Sequence, residues 1–312
     1  MDKKDYRLVF MGTPNISARV FEDMINDGYQ FVGLIAQPDR YVGRKHILEK
    51  VPTKVVAEKY NIPVFQPEKI RNDYAFLEEL KPDLIITLAY GQIVPQGVLN
   101  VPKQGCLNLH GSILPKYRGA SPIQTALINN EKETGVTLME MIDKMDAGRM
   151  YAFEKVNISE DDNSSTLFNK IGEAASRLIL RELPNYLDGK LPGTSQNEDE
   201  ATFCHMIKAD KEHLSLEDDI VTIRGWIRAL ADEPGAYLLL DDEPLKIFEA
   251  RIANNDISGK LGEIVKADKN GLYIQCKDGQ LSILSLQKQG KKRMDYKSFL
   301  NGQRDILGKI LK

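Results

Sequence analysis

The sequence holds one tryptophan, three cysteines and four histidines in 312 residues. Cys106, Cys204 and Cys276 are odd in number, far apart and never in a C-x-x-C pair, so neither a disulfide framework nor a metal-binding spacing is present. Reduced thiols and no metal are expected. No apolar run approaches the roughly 18 residues that a membrane-spanning helix needs. The N-terminus passes from charged residues into the strand-like "RLVFMG" without a signal peptide's apolar segment or a transit peptide's Arg-rich helix. These absences point to the cytoplasm and away from a membrane partner. Internal repeats and low-complexity tracts are also missing. Gly12, in "MGTP", follows the first strand, where dinucleotide-binding folds carry G-x-G-x-x-G; here Thr-Pro-Asn follows instead, so a dinucleotide cofactor is not expected.

What is present is a composition of 42% hydrophobic and 28% charged residues, that of a globular protein, over a length that favours two domains. Strand-like and helix-like segments alternate in the first part. "RLVFMG" (7–12), "FVGLIA" (31–36), "DLIITLAY" (83–90) and "CLNLH" (106–110) read as strands. "TKVVAEKY" (53–60) reads as a short helix, and Thr13 followed by Pro14 reads as the N-cap and first position of another. Such βαβα order predicts an α/β fold with a mostly parallel sheet covered on both faces, and sites in these sheets form beyond the carboxyl ends of the strands. "MGTP", "LAYG" and "NLHGS" all lie at those ends.

Residues 1–190 are assigned to this domain. The polar, Gly/Pro-bearing stretch 191–210 reads as a linker, and 211–312 as a second domain. The latter opens with one helix (216–231) and continues as short strands at the spacing of a small barrel. Net charge is −3 overall, which argues against a general nucleic-acid binder. Residues 280–312 nevertheless carry eight basic and two acidic residues, net +6, where a polyanion could be held.

Asn108 and His110 are two apart on an extended segment and so point to the same face. An amide N–H beside an imidazole can stabilise an oxyanion and move a proton, the two tasks of acyl transfer to an amine. Either residue alone is also compatible with a hydrogen-bonded strand end. Asp146, in "DKMDAG", follows the strand-like "GVTLMEM" (135–141); it reads as a turn residue or, near His110, as a carboxylate that orients the ring and stabilises its charged form.

Together "NLHGSILPKYRGASPIQ" and "TGVTLMEMIDKMDAG" closely resemble the family of formyltransferases that use 10-formyltetrahydrofolate. "FMGTP", "AQPDRYVGRK", "IPVFQPEKI", "LAYGQIVP" and "LSLQKQGKKRM" resemble the methionyl-tRNA branch of that family. The resemblance spans residues 10–294.

It implies a Rossmann-like catalytic domain followed by an OB-like β-barrel, a catalytic trio of Asn108, His110 and Asp146, and no metal. The formyl donor, 10-formyltetrahydrofolate, would lie against Leu88, Ala89, Tyr90 and Gly91. Ser112, Ile113, Leu114 and Pro115 would wall it from the acceptor amine. That acceptor would be the methionine of charged initiator tRNA, giving N-formylmethionyl-tRNA for translation initiation. Arg40, Arg44 and Lys45 would grip the tRNA from the loop 37–54, and Lys291, Lys292 and Arg293 from the barrel. A monomer is implied. An amino-sugar nucleotide is the alternative acceptor, with the basic loop and "GKKRM" against it.

Overall fold

A computed structural model describes residues 3–42, 47–303 and 305–312, without the side chain of Val42. The chain forms two compact units, the first comprising residues 1–120, 134–157 and 168–204 and the second residues 121–133, 158–167 and 205–312.

In the first unit β1 (Leu8–Gly12) leads into α1 (Asn15–Asn26) and β2 (Phe31–Ile35). A short ribbon of β3 (Arg40–Val42) and β4 (Ile47–Glu49) precedes α2 (Pro52–Lys59) and β5 (Val64–Phe65). Then come α3 (Phe76–Leu80), β6 (Leu84–Leu88), α4 (Gln96–Leu99), β7 (Cys106–His110) and β8 (Arg118–Gly119). After α5 (Pro122–Ile128), which belongs to the second unit, β9 (Glu133–Glu140) and β10 (Met150–Asn157) follow. The seven strands of the main sheet run β10-β9-β7-β6-β1-β2-β5. From β7 to β5 every pairing is parallel, and β9 joins β7 antiparallel. The expected parallel sheet is therefore present, with an antiparallel extension at one side.

Every residue of β1 and β6 is buried, as near-continuous apolar strands covered on both faces must be. Phe21 of α1 stacks on Phe10 at 4.9 Å and meets Phe31 edge-on, so one helix face is sealed over β1 and β2 by three rings, each worth about 1.5–3 kcal/mol of burial. The start of α1 differs from expectation. Pro14 itself is the N-cap, and Thr13 makes no cap bond. Its hydroxyl donates to the Tyr90 carbonyl (3.2 Å) and accepts the Gln37 N–H (3.2 Å), because the ends of three strands offered tertiary partners that outcompeted the local one.

α6 (Ser164–Leu187) and a polar stretch containing β11 (Phe203–Cys204) complete the first part of the chain; β11 pairs parallel with β8. In the second unit α7 (Ile220–Ala229) starts later than the sequence pattern suggests, because Asp219 caps it by accepting the Thr222 N–H at 2.8 Å. The strands β12 (Ala236–Leu240), β13 (Glu243–Asn254), β14 (Ile264–Asp268), β15 (Gly271–Cys276) and β16 (Gly279–Lys288) form an antiparallel sheet, with β17 (Met294–Asp295) on β16 and α8 (Tyr296–Asn301) after it. The last residues close this sheet into the expected small barrel. Lys312 exchanges both backbone bonds with Leu239 of β12, while Leu311 donates to the Gly262 carbonyl and Ile264 of β14 donates to that of Lys309. Ile247, Ile274, Ile283 and Leu286 fill its core.

Candidate active site

β7 ends the parallel part of the sheet, and its alternation places Leu107 and Leu109 in the core with Asn108 and His110 on the other face. Asn108 is partly buried and lies in register with Thr87 of β6 and Met139 of β9. His110 is buried and pairs with Thr137. Its Nε2 stands 2.8 Å from the Tyr117 carbonyl. Nε2 therefore donates, and the neutral ring keeps its lone pair on Nδ1. Nδ1 in turn lies 3.7 Å from Oδ2 of Asp146. A ring that takes up a proton there has an oxygen facing each N–H.

Asp146 sits in the turn between β9 and β10 with φ of 48°, a left-handed conformation uncommon for a residue with a Cβ. Its Oδ2 also accepts the Gly119 N–H at 2.8 Å. Gly119 has φ of 122°, and a Cβ there would stand 2.0 Å from the Cys204 carbonyl oxygen, so only glycine lets this loop meet both Asp146 and β11. The three residues expected to act together, Asn108, His110 and Asp146, are thus brought to one strand end.

The loop after β7 is braced from beneath. Ser112 is fully buried and its hydroxyl donates to the Lys116 carbonyl at 2.6 Å. Thr137 Oγ1 donates to the Ser112 carbonyl (2.7 Å) and accepts from the Leu114 N–H (3.1 Å). Ser112 thereby supports the loop with its side chain, and Leu114 is buried, while Ile113 and Pro115 are partly exposed.

At the end of β6, Leu88 and Tyr90 are buried, whereas Ala89 (φ 48°) and Gly91 (φ 89°) turn outward. The Leu88 carbonyl accepts Ser17 Oγ at 2.6 Å and that of Tyr90 accepts Thr13 Oγ1 (3.2 Å) and Gln37 Nε2 (3.1 Å), so these two are held internally and Ala89 and Gly91 form the outward part of the segment. Among the described residues, the buried Thr87 hydroxyl, beside Asn108, has no hydrogen-bond partner.

Sequence reasoning missed several supporting groups. Arg118 is completely buried; through Nε (3.0 Å) and Nη2 (2.8 Å) it donates to Gln196 Oε1, and it pairs with Glu198 at 2.8 Å. Gln196 Nε2 donates to the carbonyls of Asp146 and Gly148, both at 2.8 Å. Glu198 also receives Lys144 at 2.6 Å, and these two cations, Arg118 first, hold its carboxyl down at about 2. Burial pushes the Tyr90 hydroxyl up to about 12, so it stays protonated.

Arg40 is exposed on β3, in antiparallel register with Glu49. Asp39, next to it, binds Lys54 at 2.5 Å and Gln66 at 2.8 Å, which anchors the ribbon's base. Arg44 and Lys45 lie outside the described residues. Lys291 and Lys292 are exposed after β16. Arg293 is built into the barrel surface: Nη1 meets Asp232 at 2.8 Å, Nε donates to Ser285 Oγ at 2.8 Å, and the guanidinium lies 4.7 Å from the Phe248 ring centroid.

The family described as Formyl transferase matches residues 6–183, and Formyl transferase, C-terminal domain matches residues 206–304. The methionyl-tRNA formyltransferase of Lactobacillus acidophilus is 42% identical over 299 residues, 95% of each chain. That of Halalkalibacterium halodurans is 43% identical over 300 residues, covering 95% of this chain and 94% of its own. The chain belongs to the methionyl-tRNA formyltransferase family. An N-formyltransferase from Helicobacter canadensis, solved with folinic acid and dTDP-3-aminofucose, has a TM-score of 0.69 at 20% identity over 91% of this chain and 99% of its own, a likeness of fold. Among the described residues, no helix is long and apolar enough to cross a membrane.

Proposed function

We propose that this protein transfers the formyl group of 10-formyltetrahydrofolate to the free amine of methionyl-initiator tRNA, giving N-formylmethionyl-tRNA, with the chemistry at Asn108, His110 and Asp146. The carrying observation is the His110–Asp146 pair beside Asn108 in a chain about 40% identical along its length to methionyl-tRNA formyltransferases. The folate supplies an activated formyl carbon. As the bond from the amine to that carbon forms and the bond to the folate nitrogen breaks, one proton must leave the amine and one must reach the leaving nitrogen. His110 Nδ1 carries the lone pair that accepts the first, and Asp146 stabilises the imidazolium until it gives that proton up. The Asn108 amide donates to the formyl oxygen as charge develops on it.

In this reading Leu88, Ala89, Tyr90 and Gly91 hold the folate through backbone groups, with Ser112, Ile113, Leu114 and Pro115 as the opposite wall. Residues 1–190 act as the catalytic domain, 191–210 as a linker and 211–312 as the tRNA-binding barrel. Arg40, Arg44, Lys45, Lys291, Lys292 and Arg293 contact tRNA, and the protein works as a cytoplasmic monomer. Transfer of labelled formyl from 10-formyltetrahydrofolate is to be measured with methionyl-initiator tRNA, uncharged tRNA and an amino-sugar nucleotide in parallel. Label on methionyl-tRNA alone is expected; label on the sugar overturns the acceptor and keeps the trio.

A further inference from the structure

Arg118 is charged, completely buried and takes no part in the proton movements above. Burying a guanidinium is costly unless its donors are held, and here they are held by two side chains from one short stretch, Gln196 and Glu198. One consequence concerns the amide of Gln196. Because its oxygen faces the guanidinium at 2.8 and 3.0 Å, its nitrogen must face the other way. There both of its hydrogens are used, on the carbonyls of Asp146 and Gly148.

These carbonyls belong to the turn that presents the Asp146 carboxylate. Asp146 is held left-handed at φ of 48°, a conformation that persists only where surroundings impose it. Gly119 N–H fixes the carboxylate end, and Gln196 fixes the carbonyl end. Lys144, from the same turn, reaches Glu198. The stretch that carries Gln196 is itself tied down, since Thr194 exchanges both backbone bonds with Met150 and Arg118 N–H donates to the Thr202 carbonyl at 2.8 Å.

We infer that Gln196 is a positioning residue for formyl transfer, whose side-chain amide, oriented by Arg118, sets the turn that brings Asp146 to His110. The inference rests on the reading that His110 and Asp146 carry the chemistry. Without the two N–H donors the turn relaxes, and misplacement of a reacting group by about 1 Å costs on the order of a hundredfold in rate.

The test uses the full-length protein with Gln196→Met, which keeps length and removes the donors, and Gln196→Glu, which keeps an oxygen toward Arg118 and replaces the N–H groups with an acceptor. Asp146→Ala and the Gln196→Met/Asp146→Ala double variant complete the cycle. Single-turnover formyl transfer to methionyl-tRNA, KM for both substrates and the thermal midpoint are measured for each. Both Gln196 variants are expected to lose about tenfold to a hundredfold in transfer rate with KM within about twofold. Gln196→Glu keeps a charged partner for Arg118, and its loss of rate should exceed that of Arg118-contacting variants with an equal fall in thermal midpoint, such as Glu198→Gln. In the Asp146→Ala background Gln196→Met should add less than about twofold, since both act through one group. A wild-type rate for either Gln196 variant, or multiplicative losses in the double variant, overturns the inference while a slow Asp146→Ala preserves the trio. A wild-type rate for Asp146→Ala overturns both.

Discussion

Nδ1 of His110 and Oδ2 of Asp146 stand 3.7 Å apart, while the other ring nitrogen is 2.8 Å from the Tyr117 carbonyl. The ring is thus oriented at Nε2 and left able to accept a proton at Nδ1, within reach of the carboxylate that would stabilise the result. Removing the ring should lower the rate of formyl transfer by about 10²–10⁴-fold. His110→Ala is expected to leave tRNA affinity within about twofold, because in the proposed reaction the ring serves the reacting atoms and not the nucleic-acid backbone. Rapid-quench measurement of the transfer step checks the first expectation and filter binding of charged tRNA the second; a variant of normal rate removes His110 from the mechanism.

The exposed lysines after β16 bear on the acceptor. If Lys291 and Lys292 meet tRNA phosphates, each contributes to counterion release, and each substitution by alanine should lower the slope of log binding constant against log salt by about 1. The same pair should leave the folate KM unchanged. Titration of charged tRNA at several salt concentrations reads the slope directly. A slope equal to that of the wild type places the tRNA elsewhere on the protein.

Glu198 and Glu160 give the stability a defined acid limb. Arg118 and then Lys144 hold the Glu198 carboxyl at about 2; Lys132 and then Arg224 do the same for Glu160. Both values are depressed below the unfolded value of about 4.3, so the folded state binds fewer protons than the unfolded chain. Their stabilising contribution is therefore full above about pH 4.5 and is lost as pH falls towards 2. Both carboxylates are more than half exposed, so solvent and salt screen the effect. Thermal midpoints should fall across this window, and less steeply for Glu198→Gln or Glu160→Gln than for the wild type; parallel curves would mean that neither pairing contributes.

The parts of this site that were legible in the sequence are those whose geometry is local. Asn108 and His110 share a face because a strand alternates, and the parallel sheet follows from apolar runs separated by helices. Asp146 was read from its place after the strand-like 135–141 as a turn residue or a carboxylate for His110, and only the resemblance chose between them, since a lone Asp before Ala-Gly is more often a turn. Thr13 was read as a cap because caps are local, yet its hydroxyl found Tyr90, 77 residues away. Gln196 and Arg118 meet across 78 residues of chain, and no periodicity encodes such a pair. The stretch around Gln196 has the composition of a linker, and composition does not reveal that its carbonyls at Thr202 and Cys204 receive the N–H groups of Arg118 and Ala120. Polar networks of this kind are specified by fold and register, which arise only after the strands have paired.

Arg118 itself provides the test of what that network contributes to folding. Its guanidinium joins Gln196 and Glu198 in a site with no solvent exposure of its own. Arg118→Ala removes the partner of the partly buried Gln196 Oε1 and leaves a void where the largest fully buried side chain among the described residues had been, so the loss of packed volume adds to the loss of that hydrogen bond. A fall of about 3 kcal/mol in unfolding free energy is expected by urea titration. Glu198→Ala removes the carboxylate that pairs with this buried guanidinium and is also expected to destabilise, because Nη1 loses its acceptor and the charge its counter-ion. Arg118→Met separates the two penalties, because it fills much of the space without donating. If the methionine variant matches the wild type in stability, Arg118 is held there for orientation of Gln196, and its loss should then appear in the transfer rate instead.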